Sequence, residues 1–436
     1  MKKIIVFMVI INSLAGVIQS LHAQTNSFSP TLLQEDFVRF REILENEHCC
    51  LYEYTSKAEL DSLFDAHYQL IDCEMTRDDF FILLAPITAR IGCMHTATWM
   101  PGRFYITKPN KLFPLKLKLI NEQVVVCGNY LKNMEVPFGS IISEINGKPI
   151  GIILEKIKET ISADANNPYF VEAQLIKRFS LSYANIYGLP EEYEIKYFKP
   201  NSLVAEVKNI TPTSHESVHQ EVFSHFNNPK LEFDLDTNNS TAIMTISTFV
   251  YYDKVDYFRN FIDSCFLLIN ENEIRNLILD LRGNGGGDPF CASILFSYLL
   301  KKPEPYYSEP YSNYETLANP IPLPNNNFKG NLYTLIDGSC GSTNGHFCAL
   351  LKYHKIGKFI GTPSGASYKC NAGKNTEFRL QNSQMIITIG RSTYAVAVKN
   401  IPKTAILPDI YVNETLDDFL NHQDVFLEKA FEQIVH

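Results

Sequence analysis

The chain has 436 residues, 45% hydrophobic and 20% charged, with a formal net charge of −9, which suits two or three domains with ordinary cores. No basic stripe interrupts the acidic balance, and this argues against a nucleic-acid partner, because binding to phosphates needs clustered Lys and Arg. Beyond the N-terminal leader, no stretch is apolar and long enough to cross a bilayer.

That leader opens with Lys2 and Lys3, continues through an apolar run from Ile4 to Ile18, and ends at Leu21-His22-Ala23. Those are the basic, hydrophobic and cleavage regions of a secretory signal. Cleavage after Ala23 would leave Gln24 first and place the protein in the periplasm or outside the cell. A retained membrane anchor is the alternative, disfavoured by the shortness of the run. No cysteine stands at the cleavage point, so a lipid anchor is not indicated. The ten cysteines contain no C-x-x-C pair, which leaves zinc-ribbon and thioredoxin-like readings without support. In an exported chain some could pair, or they could remain buried thiols.

Residues 28–92 carry helical periodicity. Leu33, Phe37, Phe40 and Leu44 fall on one face. Ser56 to Glu59 is a capping box ahead of Leu60, Leu63 and Phe64, and Thr76 followed by Asp79 starts a third helix that Gly92 stops. The segment Cys93-Met94-His95-Thr96 then lies on a loop. From residue 111 the pattern turns to strands: Leu115 to Leu119 alternates with period two, and Glu144 to Ile150 is a hairpin about Asn146-Gly147. A helix with Ile153, Leu154, Ile157 and Ile161 follows, then a strand over 192–197. From about residue 230 strands and helices alternate: strand 242–246, helix 257–269, strand 276–281, helix 290–300, strand 332–336 and helix 346–354. This predicts an α/β core with right-handed crossovers. Strands near 385–389 and 394–398 and a last helix over 416–433 close the chain. The domain boundaries expected are 1–23 for the leader, 24–110 for the helical domain, 111–200 for the strand-rich unit and 201–436 for the core.

Two loops of that core carry chemistry. The first, Asp280-Leu281-Arg282-Gly283-Asn284-Gly285-Gly286-Gly287-Asp288, runs from a buried strand through a glycine cluster into a helix. Glycines let backbone N–H groups converge on a ligand. A dinucleotide phosphate is one candidate, but Asp288 replaces the third glycine of G-x-G-x-x-G and would repel it. An oxyanion is the other; a simple tight turn would use the same residues. The second loop, Asp337 to His346, places Ser342 between a strand and a helix N-terminus, where free amides suit a nucleophile but equally an N-cap serine. His95 could take the serine proton, and His346, four residues beyond Ser342, is a rival.

Taken in order, D-L-R-G-N-G-G-G, then G-S-C-G-S-T-N-G-H-F before a helix, then Ile360-Gly361, resembles the tail-specific (C-terminal processing) family of serine peptidases. Leu380-Gln381-Asn382-Ser383 and Ile406-Leu407-Pro408-Asp409 are similar to its closing segments. The S-E-I-N-G-K-P-I stretch looks like its PDZ-like module, and G-C-M-H-T resembles the histidine loop of the branch that includes the tricorn protease core. The resemblance implies an α/β, crotonase-like core with an N-terminal helical domain and an inserted PDZ-like domain. It implies Ser342 as nucleophile, His95 as base, the amides of Gly286 or Gly287 and of Thr343 as oxyanion hole, polypeptide substrates, and no metal or cofactor. Another branch of the family uses a lysine base after Ile-Gly; Ser367 stands there, with Lys369 two residues on as the alternative base. The acid that orients the histidine in the tricorn-like branch falls near Lys399 or Asn400, so the third member is unassigned. A member that keeps the fold and binds peptide or ligand without turnover is the alternative function.

Overall fold

A computed structural model describes residues 27–102, 111–131, 135–222, 229–366, 370–399 and 405–435; the expected leader, Ser367, Lys369 and Asn400 lie outside them. Strand β1 (Ser27–Phe28) pairs antiparallel with β2 (Met75–Thr76) beside three helices, α1 (Pro30–Glu47), α2 (Lys57–Gln69) and α3 (Arg77–Arg90). The helical spacing of Leu33, Phe37, Phe40 and Leu44 buries all four on α1. Thr76 and Asp79 form a full capping box. Ser56 makes only half of one: its Oγ accepts the Glu59 N–H at 3.3 Å, while the Glu59 carboxylate turns to Arg90. Gly92, at φ +78°, turns the chain out of α3, and the His95 loop leads into β3 (Ala97–Trp99).

The second unit is a sheet of β4 (Leu115–Ile120), β5 (Gln123–Asn129), β6 (Ile141–Ile145), β7 (Lys148–Pro149), β8 (Tyr193–Phe198) and β9 (Ala205–Ile210), ordered β4-β5-β6-β8-β9 with β7 on β6. Asn146 and Gly147 take φ 49° and 71°, as the predicted tight hairpin requires. Helices α4 (Ile150–Lys158), α5 (Pro168–Lys177), α6 (Phe179–Tyr187) and α7 (His215–Val222) complete it. The unit runs past the expected end at residue 200, since β9 pairs with β8 and Leu112 bridges Thr213. Strand β9 escapes the sequence pattern because it is an edge strand, largely exposed on both faces.

The core sheet follows chain order without reversal: β10 (Leu231–Asp236), β11 (Thr241–Ile246), β12 (Asn276–Asp280), β13 (Asn331–Ile336), β14 (Lys358–Gly361) and a late strand, Ile410–Tyr411. Only β10 is antiparallel to its neighbour. The connecting helices α8 (Val255–Glu271), α9 (Pro289–Leu299) and α10 (Ser342–Tyr353) share one buried cluster, so all three cover the same face. Crossovers of one hand between successive neighbours give that arrangement. Among the described residues the order never reverses, so the sheet lacks the switch-point crevice of dinucleotide-binding folds. The predicted last helix is two, α11 (Leu416–Leu420) and α12 (Val425–Val435), the second covering the other face of the sheet.

The N-terminal helices do not form an independent domain. Strands β15 (Cys370–Arg379) and β16 (Ile386–Tyr394) make a separate sheet in which β16 pairs with β3. Leu380, Met385, Ile387 and Ile389 are buried in the same cluster as α1–α3. Asp36, 2% exposed, clamps this junction by accepting the Asn382 N–H (3.0 Å), the Ser383 N–H (2.7 Å) and the Ser383 hydroxyl (2.6 Å). Asp36→Ala orphans these donors and is expected to cost about 3 kcal/mol, read as a lower urea midpoint. Among the described residues Cys93, Cys265, Cys291, Cys340 and Cys348 are buried thiols, and the sulfurs of Cys49 and Cys50 lie 3.4 Å apart. No helix among them is long and apolar enough to cross a membrane.

Candidate active site

Strands β12 and β13 are parallel neighbours, so the loops leaving their C-terminal ends meet. Polar side chains then lock them together. The Asp337 carboxylate accepts the Gly283 N–H (3.1 Å) and the Ser339 N–H (2.9 Å). Asn344 Nδ2 donates to the Asn284 carbonyl (3.0 Å), and Thr343 Oγ1 donates to the Gly287 carbonyl (2.6 Å). Ser342 sits on the resulting turn at φ +48°. A non-glycine residue in the left-handed region costs about 1–3 kcal/mol and persists only where its surroundings over-determine it. The helix therefore begins at Ser342 itself, earlier than the expected 346.

The histidine arrives from the other side of the molecule. His48 Nε2 lies 2.8 Å from Thr96 Oγ1, and the Met94 N–H donates to Asp164 Oδ1 at 2.9 Å, pinning the loop on both flanks of His95. His95 Nε2 stands 3.2 Å from Ser342 Oγ. Burial pushes the ring down to about 4, so near neutral pH it is the uncharged, proton-accepting form. His346 is the weaker base candidate: it is buried in the cavity wall, and burial first, then His95, holds it at about 3. Lys369 lies outside the described residues, and Lys399 is exposed.

The oxyanion hole needs one correction. The Gly286 N–H donates to Asn284 Oδ1 at 2.8 Å, so in this conformation it does not face a substrate. Gly287 and Thr343 both line the cavity beside Ser342. Gly286 has a different duty, that of close approach: at φ +101°, a Cβ there would fall 2.8 Å from both the Gly341 carbonyl and the Thr343 nitrogen. Gly286→Ala is expected to push the two loops apart and lower kcat at least tenfold, checked by steady-state kinetics with thermal melting as the control for folding.

The cavity holds about 430 Å³ and is walled by Tyr252, Tyr307, Tyr311, Tyr314 and Tyr394 as well as by the Ser342–His95 pair. Tyr394 packs with ring centroids 4.9 Å from Tyr311 and 5.8 Å from Tyr307. These tyrosines, His48 and Asp164 are not singled out by the sequence; scattered through the chain, they meet only on folding. Among the described residues, one grouping approaches metal-ligand spacing: donor atoms of Cys93, His95 and Asp164 lie within 4.8 Å of one another. A metal there would occupy the ring that faces Ser342.

A serine on a strand-to-helix turn, an uncharged histidine on its hydroxyl and glycine-rich backbone at its side form the arrangement with which serine hydrolases work. Residues 240–412 match the model of peptidase family S41, two fifths of the chain. The tricorn protease homolog of Saccharolobus solfataricus is 27% identical over 179 residues, covering 40% of this chain and 15% of that protein. The chain thus spans a small fraction of that relative's length. In fold it is similar to mature CPAF, with a TM-score of 0.65 at 11% identity over 93% of this chain and 96% of that one. It is also similar to a putative peptidase from Parabacteroides merdae, with a TM-score of 0.50 at 13% identity over 94% and 98% of the two chains.

Proposed function

We propose that the protein is an exported serine endopeptidase that hydrolyses extended or unfolded polypeptides through an acyl-enzyme. The observation that carries this is the 3.2 Å contact between His95 Nε2 and Ser342 Oγ. Ser342 Oγ attacks a peptide carbonyl carbon as its proton passes to His95 Nε2. The carbonyl oxygen becomes an oxyanion held by the Gly287 and Thr343 amides. The C–N bond then breaks, and His95 returns the proton to the leaving amine. Water attacks the ester, gives its proton to His95, and releases the acid as Ser342 recovers its hydrogen.

The consecutive strand order with all crossover helices on one face supports a crotonase-like core. The five-strand path with its tight hairpin supports a PDZ-like unit, which would gather a peptide by strand addition. The tyrosine-walled cavity suits a bulky side chain next to the scissile bond, because aromatic walls bury apolar area. The basic and apolar leader supports export to the periplasm or beyond.

The test is incubation of the secreted protein with casein and a peptide library, alongside a serine-directed phosphonate. Fragments and a Ser342 adduct are the expected result. Saturable binding with no products would replace the peptidase by the binding protein.

A further inference from the structure

We infer that Asp164 is the positioning carboxylate of His95, so that three distant parts of the chain build a Ser342–His95–Asp164 series. This rests on the Ser342–His95 pair proposed above and names its missing third member.

Asp164 is fully buried. One of its oxygens accepts the Met94 N–H at 2.9 Å; the other, Oδ2, is inaccessible to solvent and has no hydrogen-bond partner. A buried carboxylate oxygen left unpaired is costly. A carboxylate oxygen of Asp164, a ring nitrogen of His95 and the Cys93 sulfur fall within 4.8 Å of one another.

The backbone around Asp164 is strained and bolted down. Ala165 and Asn166 take φ 53° and 56°. The Ala165 N–H donates to the Gly92 carbonyl (3.0 Å), and Asn167 Nδ2 donates to the Ser364 carbonyl (2.9 Å). Strain held this firmly marks functional sites. The turn ties the histidine loop to the core through a residue of neither.

The chemistry needs such a group. For Nε2 to accept the serine proton, the resting ring carries its own proton on Nδ1, the side of the ring where a carboxylate can orient it. Once Nε2 is protonated, an adjacent anion stabilises the imidazolium. A span of up to 4.8 Å is closed by one water or by tightening as substrate binds. Burial pushes the Asp164 carboxyl up to about 7, while the ring is held near 4. The pair therefore takes up protons in two separate steps. The other titratable groups facing it are Cys93, held protonated by burial, and neutral His346.

Asp164→Asn keeps the size of the side chain and an oxygen for Met94. It is expected to lower kcat about 10²–10⁴-fold with KM nearly unchanged. Wild-type activity should climb through pH 7 as the carboxyl ionises; the variant should lose that step and keep only the fall near pH 4. Asp164→Glu should restore the step in part. A second readout needs neither turnover nor the variant: in the wild-type protein the His95 ring resonances should shift across pH 7, well above the ring's own titration. An Asn variant that folds and matches wild type in kcat and pH profile, or His95 resonances unmoved across pH 7, overturns the role of Asp164. Wild-type protein with the resonance shift but no Ser342-dependent hydrolysis overturns the peptidase function and leaves the positioning intact.

Discussion

Ser342→Ala is expected to abolish peptide hydrolysis, with kcat falling about 10⁴–10⁶-fold, and to remove the phosphonate adduct altogether. The fall is large because the hydroxyl is the atom that bonds to substrate. What remains is binding and oxyanion stabilisation around a water molecule. The substitution should leave the fold untouched. Ser342 Oγ makes its hydrogen bond to His95, whereas the loops are held by Asp337, Asn284, Thr343 and Asn344. Alanine meets the same φ of +48° that serine does, so a melting temperature equal to wild type is the matching control. Labelling that survives in Ser342→Ala would remove this residue as the nucleophile.

His95→Ala should lower kcat about 10²–10⁴-fold, the usual contribution of a general base. It should also slow phosphonate labelling without preventing it. The pH dependence follows from the direction of the shift. Burial lowers the ring to about 4, so the accepting form is present above that pH and is lost as pH falls through it. Wild-type kcat should therefore fall a second time near pH 4, below the step near pH 7 that Asp164 sets, and the residual activity of His95→Ala should lack that lower fall. His346 cannot stand in, because its ring faces Tyr307 edge-on at 5.9 Å and not the serine hydroxyl. Loss of activity in Lys369→Ala, with His95→Ala unaffected, would move the base to the lysine.

Much of this was legible in the chain because local physics wrote it. The alternation of apolar strand and amphipathic helix from residue 230 on reports a covered sheet, and β12 is indeed buried along nearly its whole length. Both functional loops follow strands for the same reason: glycine and serine clusters stand where a strand must turn into a helix. The capping box at Thr76 and the left-handed Asn146-Gly147 turn were readable because each is an interaction within a few residues. The misreadings are of another kind. The sequence pattern ends the strand-rich unit too early because β9 is an exposed edge, and it shows the helices as separate because their last core residues, Leu380 to Ile389, come some three hundred positions later. Motif spacing leaves Gly286 and Gly287 as equal candidates for the outward amide, because it cannot show that the Asn284 side chain accepts the Gly286 N–H.

The sequence alone determined the local ingredients of the site: a serine at a helix start, glycines on the neighbouring loop and a histidine on a loop after a helix, since these depend on residue type and short-range backbone preference. Only the tertiary structure decided which histidine meets the serine, which carboxylate stands behind it and which tyrosines wall the cavity. Those choices are contacts between segments tens to hundreds of residues apart, and they are selected by how buried faces pack, a property no local pattern encodes.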